Sequence, residues 1–334
     1  MQISNPTPDY LGATWQARTI SLTDDDGGAP AGRPDVSVLV HESDARDLIA
    51  KSGVAALYLP GFQDTFFHTE QAAAWRDYGV PLVGLEFRRS GRALRSEASR
   101  DDIRDLYVRE EEVGLALEYL RDLGARRIVL IGHSTGGLQA ALWAADHPET
   151  VDVVILNSPW LDHNGPDWQK GTLTHIVDRV GLALPRLKIS TLDPAYARSL
   201  HTNFGGEFDF NVAQKVLYPA PVYAGFWRTV RRAQARIGRG SVRIQAPLLI
   251  AHSGRSGNNS KPSAEDLAST DCVLNVEDMK RAGLLLSPEP TFLEVPGGRH
   301  DLALSRKAAR DQYTHDSISW AAEQLKLTRL ADLH

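Results

Sequence analysis

The junction between an apolar run, Arg127-Ile128-Val129-Leu130-Ile131, and the six residues Gly132-His133-Ser134-Thr135-Gly136-Gly137 constrains this chain more than any other feature. A buried strand that enters a G-x-S-x-G turn and leaves as a helix is the layout of a nucleophile elbow. Such a turn strains the serine backbone and leaves no room for side chains beside it; Gly132 and Gly136 supply that room. Behind the turn, Leu138 to Ala145 are strong helix formers, so the serine would stand at a helix N-terminus with backbone N–H groups facing an incoming oxyanion. The pattern predicts acyl-transfer hydrolase chemistry. A glycine-rich loop that happens to hold a serine is the bland alternative, and the strand before and helix after count against it.

The 334 residues, 42% hydrophobic and 24% charged, suit one large domain with an insertion or two modest ones. A formal charge of -5 leaves no electrostatic footprint for nucleic acid, and the arginines from Arg228 to Arg243 read as a solvated helix face. The single cysteine, Cys272, cannot form an internal disulfide. The first residues lack the charged and apolar pattern of a signal peptide. No run reaches the roughly 18 apolar residues of a membrane span. The expectation is a soluble, cytoplasmic protein without stable membrane insertion; nothing in the sequence bears on oligomeric state.

Apolar runs at Ser37–His41, Val54–Leu59, Pro81–Phe87, Arg127–Ile131 and Val151–Leu156 read as strands covered on both faces. Helical patterns at Thr69–Tyr78, Ser99–Leu123 and Gly137–Asp146 alternate with them, which predicts a mostly parallel sheet flanked by helices. The alternation stops after Trp160 and resumes at Ala246–His252. The residues between carry helix-like patterns, proline breaks and many aromatics, as an inserted helical lid would. The expected division is therefore 1–160 with 246–334 as the core and 161–245 as the lid. A last strand, Thr291–Val295, and a helix from about Ser305 to Leu325 close the chain.

A serine hydroxyl needs a histidine to take its proton and a carboxylate to orient that histidine. His300 fits the base, because Pro296-Gly297-Gly298-Arg299-His300 follows the last strand, where a turn can bring an imidazole over the sheet's carboxyl edge. His133, His252 and His315 sit in the elbow, at a strand end and in the terminal helix. The carboxylate candidates are Glu265, Asp266, Asp271, Glu277 and Asp278. Asp271, before an apolar-containing turn, is preferred, with Asp266 second; the others suit helix first turns. The oxyanion hole would take the amide of Thr135 and that of Phe62, which follows the strand ending at Leu59 in the turn Pro60-Gly61-Phe62.

Taken together these residues resemble the α/β-hydrolase superfamily, and within it the lysophospholipase and monoacylglycerol-lipase-like branch, also described as serine aminopeptidase S33-like. The G-H-S-x-G-G elbow matches that branch at every fixed position. Pro60-Gly61-Phe62 stands where the branch has H-G-x, and Glu86 to Ala93 stands where it has D-x-R-G-x-G-x-S. Its acid usually lies in an H-G-x-x-D turn, whereas His252-Ser253-Gly254-Arg255-Ser256 has none. The likeness resumes at Thr270-Asp271-Cys272-Val273, as though an insertion had pushed the turn outward. The resemblance implies a capped α/β-hydrolase fold and a Ser134–His300–Asp271 triad.

The function this implies is hydrolysis of a carboxylic ester, without cofactor or metal, on a small molecule with an apolar acyl or aromatic part. Thioester, amide, lactone or carbon–carbon cleavage by the same triad is the first alternative; a non-catalytic protein binding an apolar ligand is the second. No H-E-x-x-H helix or paired Asp/His motif supports a metal hydrolase. Phe62, His133, Trp160, Tyr218, Tyr223, Phe226 and Trp227 are candidates to wall the pocket. Trp168, Phe204, Phe208 and Phe210 belong to the same aromatic-rich block, most of which is expected to form the lid's own small core.

Overall fold

The computed structural model describes residues 3–23, 25–28, 34–162 and 178–332. In chain order the strands are β1 (Thr7–Pro8), β2 (Trp15–Ser21), β3 (Val36–Glu42), β4 (Val54–Leu59), β5 (Leu82–Glu86), β6 (Arg127–His133), β7 (Val153–Asn157), β8 (Lys188–Leu192), β9 (Ala220–Tyr223), β10 (Leu248–Ser253) and β11 (Thr291–Val295). The helices that matter here are α1 (Ala45–Ser52), α2 (Thr69–Arg76), α3 (Arg109–Asp122), α4 (Thr135–Asp146), α5 (Ala195–Leu200), α6 (Ala224–Gly238), α7 (Ala264–Ser269), α8 (Val276–Gly283) and α9 (Lys307–Leu325). Nine strands form one sheet in the order β1-β2-β3-β5-β4-β6-β7-β10-β11. From β5 to β11 neighbours are parallel, while β1, β2 and β3 run antiparallel. This is an α/β-hydrolase fold with a mostly parallel central sheet.

The alternation of side chains along a strand explains why the central strands carry no polar face. Ile128 and Leu130 of β6 join Leu57, Leu59 and Leu156 in a core packed under α3, α4 and α6. Val129 and Ile131 join Ala56, Tyr58, Val153 and Ile155 in a second core under Trp75 of α2 and Ile318 of α9. Each such aliphatic side chain taken fully out of water stabilises the fold by about 1.5–3 kcal/mol. Because β4, β6, β7, β10 and β11 are parallel, the loops leaving their carboxyl ends all open on one edge of the sheet.

The expected strands are present, β4 and β11 with the expected bounds. Three features differ. β2 is not among the expected strands; it is an antiparallel strand, half-buried along most of its length, so it lacks the apolar run of the covered strands. The helix expected over Ser99–Leu123 is α3 alone. Before it come short 3-10 turns at Glu97–Ser99 and Leu106–Val108, and Asp101, with φ 48°, interrupts any helix. Ile103 and Leu106 are buried all the same, so the periodicity registered burial rather than helix. Finally, the segment between β7 and β10 is not purely helical: besides α5 and α6 it holds the antiparallel pair β8–β9. Every residue of β8 is exposed, which erases the period-two signal. Trp168 lies outside the described residues. Among the described residues, no helix is long and apolar enough to cross a membrane.

Candidate active site

β6 ends at His133 and α4 begins at Thr135, so Ser134 alone makes the turn, with φ 54° and ψ −116°. That left-handed backbone is costly for a residue with a side chain and persists only where the surroundings impose it. They do so by leaving no space. A Cβ on Gly136 would lie 2.2 Å from the Leu59 carbonyl oxygen, and one on Gly132 would lie 2.4 Å from the Gly136 carbonyl oxygen. The Ser134 N–H donates to the Asn157 carbonyl at 3.0 Å, and the Ser134 carbonyl accepts from Trp160 N at 3.0 Å. The loop after β7 thus ties down the turn from the outside.

His300 follows β11 in a turn closed by Gly298 N–H donating to Val295 O (3.0 Å), with Gly297 at φ 72°. Its Nδ1 lies 2.9 Å from Oδ2 of Asp271. Asp271 is fully buried, and its other oxygen accepts from the backbone N–H of Val273 (2.9 Å) and Leu274 (2.8 Å). Although Asp271 is far along the chain from β10, it returns to the strand's end. Its N–H donates to Arg255 O (3.1 Å) and its carbonyl accepts from Gly257 N–H (2.7 Å). Asp266 is spent elsewhere, in a capping box with Ser263 at the start of α7, and Glu277 and Asp278 lie in the first turn of α8.

Ser134 and His300 share the wall of one cavity of about 540 Å³. Among the described residues Ser134 Oγ makes no hydrogen bond to His300; such contacts often tighten only when substrate is bound. Gly61 abuts the elbow, since a Cβ there would lie 3.2 Å from Ser134 Cβ. The amides of Phe62 and Thr135 donate to no other group among the described residues, which leaves both N–H groups available. Phe62, His133, Trp160, Tyr218, Phe226 and Trp227 all line the cavity. The Phe62 ring stacks on Phe226 at 4.3 Å and Trp160 meets Trp227 at 5.5 Å. Tyr223 does not belong to the wall: it ends β9 and caps α6, with the Arg186 guanidinium over its ring. Phe208 and Phe210 pack with Phe67 and Leu200 in a small separate core, and Phe204 is exposed.

The structure adds polar groups that the sequence reading did not single out. Asp64, two residues past Phe62, is ion-paired with Lys215 from the β7–β10 segment, and both line the cavity. Burial alone would raise the Asp64 carboxyl; the Lys215 ammonium outweighs it and holds the group below the usual carboxylate range. Asp301, next to His300, is buried and accepts from Asn157 Nδ2 (2.8 Å) and Ala303 N (3.0 Å), with His68 Nε2 at 2.9 Å. Burial pushes its carboxyl up, but the neighbouring imidazoles of His133 and His68 outweigh it and hold it far down. His133, whose Nδ1 meets Asn157 O at 3.2 Å, is pushed down to about 4, chiefly by burial. Asp64, His133 and Asp301 each bring a possible ligand atom within 4.8 Å of the others. Their atoms are already engaged by Lys215, His68 and Asn157, which makes this a hydrogen-bonded polar network beside the elbow. Lys215 had no local signal in the sequence; Asp301 could have been noticed as a carboxylate beside the chosen histidine.

The family described as serine aminopeptidase, S33, matches residues 95–276, more than half of the chain. Among solved structures, a monoglyceride lipase of Saccharomyces cerevisiae, crystallised with a substrate analog, is similar with a TM-score of 0.62 and 15% identity, covering 97% of this chain and 94% of its own. The monoacylglycerol lipase of Paleococcus ferrophilus gives 0.60 and 14%, covering 82% and 95%. Est1E of Butyrivibrio proteoclasticus gives 0.54 and 15%, covering 92% and 99%. At these identities the likeness is one of fold. The matched segment contains the elbow, the segment between β7 and β10 and Asp271, and the chain belongs to the serine aminopeptidase S33 family of α/β-hydrolase proteins.

Proposed function

We propose that the protein is a serine hydrolase that cleaves a carboxylic ester through Ser134, His300 and Asp271. The observation that carries this reading is the 2.9 Å contact of His300 Nδ1 with a buried Asp271 carboxylate, in a cavity that also holds the strained Ser134. Asp271 fixes the tautomer, so that Nε2 is free to take the Ser134 proton as Oγ attacks the substrate carbonyl. The tetrahedral oxyanion is held by the amides of Phe62 and Thr135, each donor worth about 3 kcal/mol in comparable sites. His300 then gives the proton to the leaving alcohol, and water, activated in the same way, releases the acyl group. Core residues 1–160 and 246–334 carry this machinery, with 161–245 as the cap over it. The apolar residues Phe62, Trp160, Phe226 and Trp227 in the wall of the same cavity suit a substrate with an apolar acyl or aromatic part.

A fluorophosphonate probe tests the proposal. The protein is expected to be labelled, and Ser134→Ala to abolish labelling; an unlabelled protein, or labelling that survives Ser134→Ala, overturns it. A panel of p-nitrophenyl esters of graded acyl length then reads the substrate, and labelling with no turnover across the panel would move the assignment to thioester, amide, lactone or carbon–carbon cleavage.

A further inference from the structure

We propose that the substrate's apolar body carries a neutral oxygen acceptor, a keto, ether or hydroxyl oxygen, and that Nζ of Lys215 binds it. This rests on the serine-hydrolase reading of the same cavity and narrows the substrate class. Lys215 and Asp64 are both buried in the cavity wall. A buried ion pair gives little net stability compared with apolar residues of similar size, because desolvation offsets the attraction. Nor is the pair needed to hold its segment down. Arg100 already donates to the carbonyls of Ala213 (2.7 Å) and Gln214 (3.0 Å).

The ammonium has three N–H donors. Asp64 Oδ1 takes one, and no other acceptor among the described residues takes either of the remaining two. They belong to a residue that lines the same cavity as Ser134 and His300, a cavity whose wall also holds Phe62, Val216 and Phe226; the ring centroid of Phe67 lies 5.8 Å from Nζ. In a pocket of that kind the few polar groups set ligand orientation. Charge selects the kind of acceptor. The Lys215 ammonium is already matched by the Asp64 carboxylate in the same wall, so a substrate carboxylate would meet no net positive charge there and would be repelled by Asp64, whereas a neutral oxygen accepts from Nζ without that repulsion.

The test compares kcat/KM for 4-nitrophenyl octanoate with its 3-, 4-, 5- and 6-oxo derivatives, and, for the alcohol side, simple alkyl octanoates with their ether isosteres. A hydrogen bond to a charged donor predicts a preference of about tenfold or more for at least one oxygenated ester. In Lys215→Met the ratio is expected to fall to near one, and Lys215→Gln, which keeps donors, to retain part of it. Should Lys215→Met fail to fold with Asp64 left unpaired, Asp64→Asn/Lys215→Met removes both charges and carries the same comparison. The inference is overturned if the unmodified protein prefers no oxygenated ester, or if the preference survives the removal of Lys215. Fluorophosphonate labelling is read in parallel: a labelled protein without the preference defeats this inference alone, and an unlabelled one defeats the hydrolase reading beneath it.

Discussion

Asp271→Asn separates the role of the carboxylate from its shape. In the native site Oδ1 accepts from two backbone N–H groups and Oδ2 faces His300 Nδ1, whereas a carboxamide has only one oxygen to offer. If that oxygen serves His300, the NH₂ faces the amides of Val273 and Leu274 and leaves two buried donors unmet, at about 1–3 kcal/mol each. If it serves the backbone, only the histidine contact is inverted: NH₂ donates to Nδ1, and the ring must carry its hydrogen on Nε2. The second arrangement is favoured, and in it the imidazole cannot accept the Ser134 proton. The expected loss in kcat is about 10⁴-fold, as for the wrong tautomer in other triads, which is about 5.5 kcal/mol of barrier. Stability should change little, because both backbone hydrogen bonds persist. The assay is ester turnover beside a thermal melt followed by circular dichroism, with Asp266→Asn as comparison. Asp266 is half-exposed and serves only the cap of α7, so that variant should keep full turnover and lose at most about 1 kcal/mol of stability. The reasoning is refuted if Asp271→Asn keeps more than about a tenth of kcat, or if Asp266→Asn is the inactive variant.

Gly136→Ala places a Cβ 2.2 Å from Leu59 O and 2.5 Å from Pro60 O. The expected outcome is a loss of about 3 kcal/mol or more together with lost fluorophosphonate labelling, because the strand end leading to Phe62 must move. Gly238→Ala, with nothing within 4 Å of its Cβ, should melt as the unmodified protein does, and equal melts for the two variants would contradict the packing argument. His133 supplies a pH prediction. Its folded value near 4 lies below the ordinary 6.5, so the stability it contributes as a neutral ring is present above pH 6.5 and lost as pH falls towards 4. The full difference amounts to roughly 3 kcal/mol. Denaturant unfolding of the unmodified protein and His133→Gln between pH 7 and 4 should therefore converge as the pH drops, and parallel curves would refute it.

The parts of the fold that were legible were those where burial on both faces writes itself into consecutive residues. β4, with Val54 to Leu59 all buried, announces itself. β2 and β8 do not, since one is half-exposed and the other wholly so. The same logic separates the site residues. The turn at Ser134 could be read because its strained backbone demands glycines beside it in sequence, and the turn at His300 because it follows a strand. The Asp64–Lys215 pair joins residues 151 positions apart, and no local constraint at either end records the partner. Tyr223 was misjudged for a related reason: aromatic type says that a residue is buried against something, but not which side of a two-stranded sheet it faces.

Asp271 lies between these extremes, and its case explains how a long loop can bring a carboxylate back to the strand it left. The loop that leaves β10 runs through α7 before it reaches the acid, so distance along the chain argues against Asp271. Closing a longer loop costs little, however, about 0.6 kcal/mol for each doubling of length. Here the ends are clamped by backbone hydrogen bonds from Asp271 to Arg255 and from Gly257 to Asp271, and α7 in between is stabilised by its own capping box. Val276 N–H adds a further tie to Ser256 Oγ at 2.9 Å. The carboxylate is therefore positioned by where the loop closes and not by how far it travels. Residues 258–265 can vary in length without moving the acid as long as the bridge between Ser256 and Asp271 persists.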